Sequence, residues 1–530
     1  MRRAGKRGTV LLAGVTAAAM AIAMFAPAAP AASTAQPGPG DHTTTGGFQP
    51  APIAWQPCPE RPADPGVRCG ELRLPVNWAH PNGPSFELAV AKHTATSPVG
   101  AIGPLVINPG GPGGSGVDFA LDAASYFSTN ILAHFDIIGF DPRGVGRSSP
   151  IECSASLVHA RPFPVPASEA GYRALLAYNA KLGADCRAHS GPLFGHVDTA
   201  SVDRDIDAIR AALGAHQISY YGVSYGTLIG QEYAELFPNR IRAMVIDSNM
   251  DHSLHTAAFL DTEAATDEDS FNQFVDWCDR DSTCVLHGKD VPAIWDELMR
   301  RADAGALTIP GTTQKVTWFE LTSYAVNNFY GPTWSSLAKG ISGLYQQKPG
   351  PGLPAARPAS TGLVPYPVTV FCEDWSLPAS SYRQLRDDFA STEALAPHLR
   401  TSSLGWGVFA SCLNFPAPVN DPQHRLHVRA GVPLLEPNSV HDPATPYLWA
   451  LDDAGQLGRH GRLVTYLGWG HGVYRHSDCT TGTVDSYLIA RTLPPPGAFC
   501  PAVPPPDQPT VQAPQVTVPG TPPVTPGFTP

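Results

Sequence analysis

Ile218-Ser219-Tyr220-Tyr221-Gly222-Val223-Ser224-Tyr225-Gly226-Thr227 is the stretch on which the reading of this chain turns. Residues 218–223 form a short apolar run, the pattern of a buried strand. From Tyr225 to Phe237 the apolar residues follow helical spacing and close on Pro238-Asn239. Between the two stands a Gly-x-Ser-x-Gly string. Such a string arises by chance about 0.3 times in a chain of this composition, so alone it decides little. Its setting decides more. Small residues at 222 and 226 permit a sharp strand-to-helix turn that lifts Ser224 Oγ above the strand end. A bare hydroxyl is a poor nucleophile, so chemistry at Ser224 requires a base and an orienting acid from elsewhere in the chain.

Outward from this turn, further apolar runs bounded by Gly or Pro predict strands over Pro104–Asn108, Phe135–Phe140, Ile241–Asp247, Val432–Leu435 and Leu463–Leu467. A helix is predicted over Ser201–Leu213. Strands alternating with helices imply an α/β fold, a mostly parallel sheet flanked by helices. Residues 251–425 break the rhythm with helical stretches such as Asp261–Trp277 and Val291–Ala302. They are expected to form a largely helical cap at the carboxyl end of the sheet, where ligands of α/β folds bind. The loop Asn108-Pro109-Gly110-Gly111-Pro112-Gly113-Gly114-Ser115-Gly116 follows a strand and brings backbone N–H groups close to a substrate oxygen. Gly111 and Tyr225 are the expected oxyanion donors. A phosphate cradle is the rival for this loop, but the Lys-Ser/Thr of such loops is missing. Arg143, in Asp141-Pro142-Arg143-Gly144, is expected to brace the loop beneath the site. Acid and base should follow the serine in that order. Asp442, in His441-Asp442-Pro443-Ala444, and His471, in Gly468-Trp469-Gly470-His471-Gly472, both follow predicted strands; His441 and His476 compete for the role of base.

The chain has 530 residues, 56 of them Pro and 50 Gly, with 43% hydrophobic and 15% charged residues and a net charge of -11. That apolar fraction excludes wholesale disorder, and the absence of a Gly-X-Y period excludes collagen. The acidic balance argues against nucleic acid as a partner. Arg2, Arg3, Lys6 and Arg7 precede an apolar run over Val10–Phe25 and then Ala-Pro-Ala sites, the order of a signal peptide, expected over 1–32. A linker is expected over 33–50, sheet-forming core over 51–250 and 426–500, and a Pro-rich tail over 501–530. Cys58, Cys69, Cys153, Cys186, Cys278, Cys284, Cys372, Cys412, Cys479 and Cys500 are even in number, as in an exported disulfide protein, and their bunching suggests neighbour pairing. Without CxxC, HExxH or a His-Cys cluster at ligand spacing, no metal and no cofactor are expected. A secreted or cell-wall-associated monomer without stable membrane insertion is the expectation.

The stretches NPGGPGGSG at 108–116, FDIIGFDPRGVGRS at 135–148, YYGVSYGT at 220–227, DPATP at 442–446 and GWGHG at 468–472 together resemble the secreted tripeptidyl aminopeptidases, an α/β-hydrolase family related to the prolyl aminopeptidases. The resemblance covers about residues 50–500. It implies an α/β-hydrolase fold with Ser224 as nucleophile, Asp442 as orienting acid and His471 as base. It further implies an exopeptidase that releases tripeptides from peptides or proteins with a free N-terminus. Such an enzyme must bind an α-ammonium, and Glu373 and Asp374 are the acids expected to receive it. A secreted carboxylesterase or lipase with the same triad is the first alternative. A catalytically inactive binding protein is the second.

Overall fold

The computed structural model describes residues 48–97, 100–348 and 361–504. The expected signal peptide, most of the linker, and most of the tail lie outside the described residues. The strands in chain order are β1 (Val67–Pro75), β2 (Ser85–His93), β3 (Gly103–Asn108), β4 (Phe135–Phe140), β5 (Glu152–Ser154), β6 (Ile218–Val223), β7 (Ile241–Asp247), β8 (Leu363–Pro365), β9 (Leu434–His441), β10 (Gly461–Trp469) and β11 (Phe499–Cys500). Nine of them form one sheet in the order β1-β2-β4-β3-β6-β7-β9-β10-β11. β1, β2 and β4 pair antiparallel; every other pairing in this sheet is parallel.

The central strands are buried along their whole length. Every residue of β6 is buried, as are Leu105 to Asn108 of β3 and Ala243 to Asp247 of β7. That is why they read as unbroken apolar runs. Helices flank both faces. Thr199–Ala212 and Tyr225–Leu236 pack with β2, β4, β6 and β7 in one core, which takes in Val106, Ile138, Tyr220, Ile206, Ile209, Leu228 and Ile246. Gly116–Leu121, Thr129–His134 and Asp478–Ala490 pack on the other face around Leu105, Ile107, Ile137, Tyr221, Val245 and Leu488.

Two differences from the sequence reading concern strands. β1 and β2 were not anticipated; buried and exposed residues alternate over Glu71–Leu74 of β1 and Ser85–Leu88 of β2, as suits strands at a sheet margin with one wet face. β9 begins two residues later than predicted and continues to His441. Its polar residues are buried and used: Asn438 Oδ1 accepts from Asn249 N at 2.7 Å, and Ser439 Oγ donates to Gly468 O at 2.6 Å.

Between β7 and β9 the described residues form seven α-helices, and β8 pairs antiparallel with β5. Thr256–Arg280, Val291–Asp303, Trp318–Tyr330 and Trp334–Gln346 enclose their own apolar cluster, with Phe271, Trp295, Leu321, Phe329 and Leu337 at its centre. No helix among the described residues is long and apolar enough to cross a membrane. All ten cysteines pair with their neighbours in sequence, 58–69, 153–186, 278–284, 372–412 and 479–500. Five disulfides fit an oxidising compartment.

Candidate active site

β6 ends at Val223, and the next residue adopts φ 59 and ψ -127, a backbone conformation that L-residues rarely take. That residue is Ser224, and the helix Tyr225–Leu236 starts immediately after it. The turn is held by Asp247 O, which accepts from Ser224 N at 3.0 Å. Close packing enforces it as well. A Cβ on Gly222 would lie 2.2 Å from Gly226 O, and one on Gly226 would lie 2.7 Å from Asn108 O. Strain of this kind persists only where the surroundings over-determine it, as at a functional turn.

The glycine loop after β3 lies against this turn. Gly110 has φ +81, and a Cβ there would stand 2.3 Å from Val223 O, 2.8 Å from Tyr225 N and 2.9 Å from Ser224 Cβ. Asn108 Oδ1 accepts from Gly110 N at 2.8 Å and sets the loop's direction. Gly111, the next residue, and Tyr225 are thus carried by adjoining segments. Beneath the loop, Asp141 accepts from Ser115 Oγ at 2.5 Å and from Val117 N at 3.1 Å.

Asp442 follows β9 and is fully buried. Its Oδ1 accepts from Ala444 N at 2.9 Å and Thr445 N at 3.0 Å, and its Oδ2 accepts from Thr445 Oγ1 at 3.0 Å. His471, in the loop after β10, places Nδ1 2.9 Å from Asp442 Oδ1 and 3.1 Å from Oδ2. A carboxylate facing Nδ1 fixes the proton there and leaves Nε2 as the basic nitrogen. Nε2 is buried without a hydrogen-bond partner, a lone pair kept for a reacting proton. Burial alone would raise the pKa of Asp442. The His471 charge and hydrogen bond and the two N–H donors outweigh it and hold the carboxyl below its ordinary value.

Asp247, which sequence reasoning passed over, ties serine and histidine together. Its backbone holds Ser224 N. Its carboxylate accepts from Val473 N at 2.8 Å, Tyr474 N at 2.9 Å and Tyr221 OH at 2.8 Å, so it also fixes the loop that carries His471. Burial raises this carboxyl to about 6 against those donors. Its position at the end of an apolar strand beside the serine strand was the available signal. Tyr330, also missed, ends a helix of the insertion; its carbonyl accepts from His471 N at 2.8 Å, and its ring meets the imidazole at 5.0 Å between centroids.

The competing histidines are otherwise engaged. His441 Nδ1 pairs with Asp269 Oδ2 at 2.6 Å, and its ring stacks on Trp469. His476 packs edge-on against Tyr466, and burial lowers its pKa to about 4. Arg143 is a brace. It is fully buried, forks onto Asp205 at 2.6 and 2.7 Å, and donates to Pro75, Val76 and His196 carbonyls.

Glu373 and Asp374 do not present themselves to a substrate amine. Both are fully buried. Glu373 accepts from Gly195 N at 3.0 Å and Val197 N at 2.9 Å. Asp374 accepts from Thr199 N at 2.8 Å, Thr199 Oγ1 at 2.7 Å and Tyr225 OH at 2.5 Å. Their lone pairs go to the loop 195–199 and to the side chain of Tyr225, so the pair buttresses the turn from behind. Burial pushes Glu373 up to about 8.

A strained serine, a buried carboxylate–imidazole pair and a glycine loop lie at the carboxyl end of one mostly parallel sheet. The α/β hydrolase fold family matches residues 103–396, and a family described as TAP-like protein matches residues 401–500. The chain therefore belongs to the α/β hydrolases. Serine protease Hip1 of Mycobacterium tuberculosis is 32% identical over 478 residues, 85% of this chain and 91% of that protein. Tripeptidyl aminopeptidase of Streptomyces coelicolor is 32% identical over 470 residues, 83% of this chain and 84% of that protein. Carboxylesterase B of Mycobacterium tuberculosis is 32% identical over 505 residues, 89% and 95% of the two chains. Within the α/β hydrolases the chain is a serine hydrolase of the tripeptidyl aminopeptidase-like family.

Proposed function

We propose that this protein is a secreted serine exopeptidase that releases tripeptides from peptides or proteins with a free N-terminus. The observation that carries the chemistry is the His471 Nδ1–Asp442 contact at 2.9 Å, which leaves Nε2 without a hydrogen-bond partner, together with the strained backbone of Ser224. In this reading His471 Nε2 takes the Ser224 proton as Oγ attacks the scissile carbonyl. The oxyanion settles on the N–H groups of Gly111 and Tyr225, and His471 returns the proton to the leaving amine. Water, activated by the same histidine, then hydrolyses the acyl-enzyme. The five disulfides favour an exported enzyme.

For the α-ammonium we favour Glu263 and Asp267 over Glu373 and Asp374. They lie one turn apart on Thr256–Arg280, about as buried as Glu373 and Asp374 but with both Asp267 carboxylate oxygens left without a hydrogen-bond partner, and within the electrostatic field of Asp442. The same helix reaches the triad acid directly, since Thr266 Oγ1 donates to Asp442 O at 2.8 Å. Glu263 accepts from Ser402 Oγ at 2.6 Å, and burial raises it to about 8, so an arriving ammonium would stabilise its charged form.

The deciding experiment compares chromogenic tripeptides with free and blocked N-termini against a short acyl ester, with Ser224→Ala as control. Preference for the free N-terminus is expected. Activity on the ester alone would instead establish the carboxylesterase reading, which the relative of that name favours. Activity surviving Ser224→Ala would refute the triad, and an inert wild-type chain would point to a binding protein. Asp267→Asn should raise KM for free tripeptides at least tenfold while leaving ester hydrolysis unchanged.

A further inference from the structure

Glu232, His252 and His424 come from three distant parts of the chain: the C-terminal half of the serine's helix, the turn after β7 and the segment returning to β9. One ligand-capable atom from each lies within 4.8 Å of the others. Glu232 is 2% exposed and His252 1% exposed, whereas the His424 side chain is 38% exposed and opens the cluster to solvent. Spacing searches along the sequence cannot find such a set.

The protonation pattern of this cluster is unusual. His252 Nε2 lies 2.8 Å from Asp374 O, so that nitrogen carries the proton and Nδ1 keeps its lone pair. Nδ1 faces Glu232 Oε1 at 3.1 Å, and both atoms are buried without a hydrogen-bond partner. Two lone pairs facing each other in a buried site repel unless a cation stands between them. Ligands bound to one zinc ion at about 2.0–2.1 Å stand roughly 3.0–3.4 Å apart, which this pair already matches. His424 Nε2 lies 2.9 Å from Glu235 Oε2, the carboxylate–imidazole pairing that orients metal-bound histidines; its Nδ1 has a long 3.3 Å contact with Pro422 O. Asp421 adjoins Glu232 carboxyl to carboxyl, and its buried Oδ2 has no partner.

We propose that Glu232, His252 and His424 form a structural site for a divalent transition metal of the zinc class. Two imidazoles and a carboxylate suit zinc, whereas calcium and magnesium prefer all-oxygen sites. His252 and His424 lie next to the two ends of the helical insertion, and Glu232 lies on the helix that begins at the active serine. A bound ion therefore clips both ends of the insertion to the core. Its effect falls on stability, because the ion adds binding free energy to the folded state.

The test uses the full chain with disulfides intact, stripped with a chelator and desalted, then titrated with zinc chloride. Metal content and the melting temperature are measured in wild type and in His424→Asn, a half-exposed position where the fold tolerates the change. The expected result is one zinc per wild-type chain, an upward melting shift of several degrees, and zinc affinity at least tenfold weaker in the variant. Magnesium and calcium should not reproduce the shift. No stoichiometric zinc, a zinc-insensitive melting temperature, or equal binding by His424→Asn would each overturn the proposal. The last result would assign the zinc to other surface histidines, and the first two would leave a proton shared between Glu232 and His252.

Discussion

Replacing Asp442 with Asn separates the orientation of the base from its presence. The two backbone donors, Ala444 N and Thr445 N, both point at Oδ1, so the amide oxygen of the introduced side chain takes that position. The NH2 group then replaces Oδ2, 3.1 Å from His471 Nδ1. The retained oxygen still accepts from Nδ1–H at 2.9 Å, but the NH2 donor opposes that proton, so the imidazole shifts toward the tautomer with its proton on Nε2, which blocks proton abstraction from Ser224. Restoring the productive tautomer leaves a buried donor unsatisfied, about 1–3 kcal/mol, and forfeits a charge-assisted bond to the imidazolium, about 1.5–3 kcal/mol. At about 1.4 kcal/mol per decade the sum corresponds to a fall of roughly 10²–10⁴ in kcat. KM should hold, because Asp442 does not face substrate. The assay is steady-state hydrolysis of a chromogenic tripeptide, or of an acyl ester if the peptide is not a substrate, with a melting curve to show that the variant folds. A folded Asp442→Asn enzyme within tenfold of wild-type kcat would refute this account of the histidine.

Gly110→Ala puts a Cβ 2.3 Å from Val223 O at a φ of +81, so it should abolish activity and lower the melting temperature by several degrees, read by scanning calorimetry. Glu436 is fully buried in β9, and burial raises its carboxyl to about 8. Between the ordinary carboxylate range and pH 8 the unfolded chain gives up this proton while the folded chain keeps it, so stability falls as pH rises. Glu436→Gln removes that slope and should stabilise by about 3–5 kcal/mol at pH 8 but by about 1 kcal/mol at pH 5, measured by denaturant titration at each pH. Replacing both Cys372 and Cys412 by Ala opens a loop of 40 residues and should destabilise by about 4 kcal/mol, against about 2 kcal/mol for the 6-residue pair Cys278 and Cys284, by the same titration.

The central sheet was legible because its strands are parallel and buried on both faces, so β3, β4, β6 and β7 read as plain apolar runs. β1 and β2 were not, since polar and charged residues such as Arg68, Glu71, Arg73, Glu87 and Lys92 interrupt their apolar runs. The rest of β9 hid behind Glu436, Pro437, Asn438 and Ser439, polar or ring-bearing residues, of which Pro437, Asn438 and Ser439 hold neighbouring segments by hydrogen bonds. At the site, Ser224, Asp442 and His471 stood out as candidates because nucleophile and histidine turns need small neighbours and follow strands. Tyr330 escaped because it holds His471 through a backbone carbonyl, which carries no side-chain signature, and Asp247 because a strand-end carboxylate looks the same in sequence whether or not it fastens a distant loop. Glu373 and Asp374 misled for a related reason: sequence shows that a residue is acidic but not whether backbone N–H groups have already claimed its oxygens.

The hydrogen bond from His471 N to the Tyr330 carbonyl joins the proposed base to the helical insertion. That insertion is thus part of the machine's frame rather than a door hung upon it. A door that swung wide would carry away one of the base's supports, so admitting a large substrate and holding a competent histidine are opposed demands. Trimming the helices to accommodate bulkier acyl groups should therefore yield an inert scaffold in place of a more permissive enzyme. Redesign of specificity has to proceed by resurfacing the cap from within, leaving the final turn of Trp318–Tyr330 untouched.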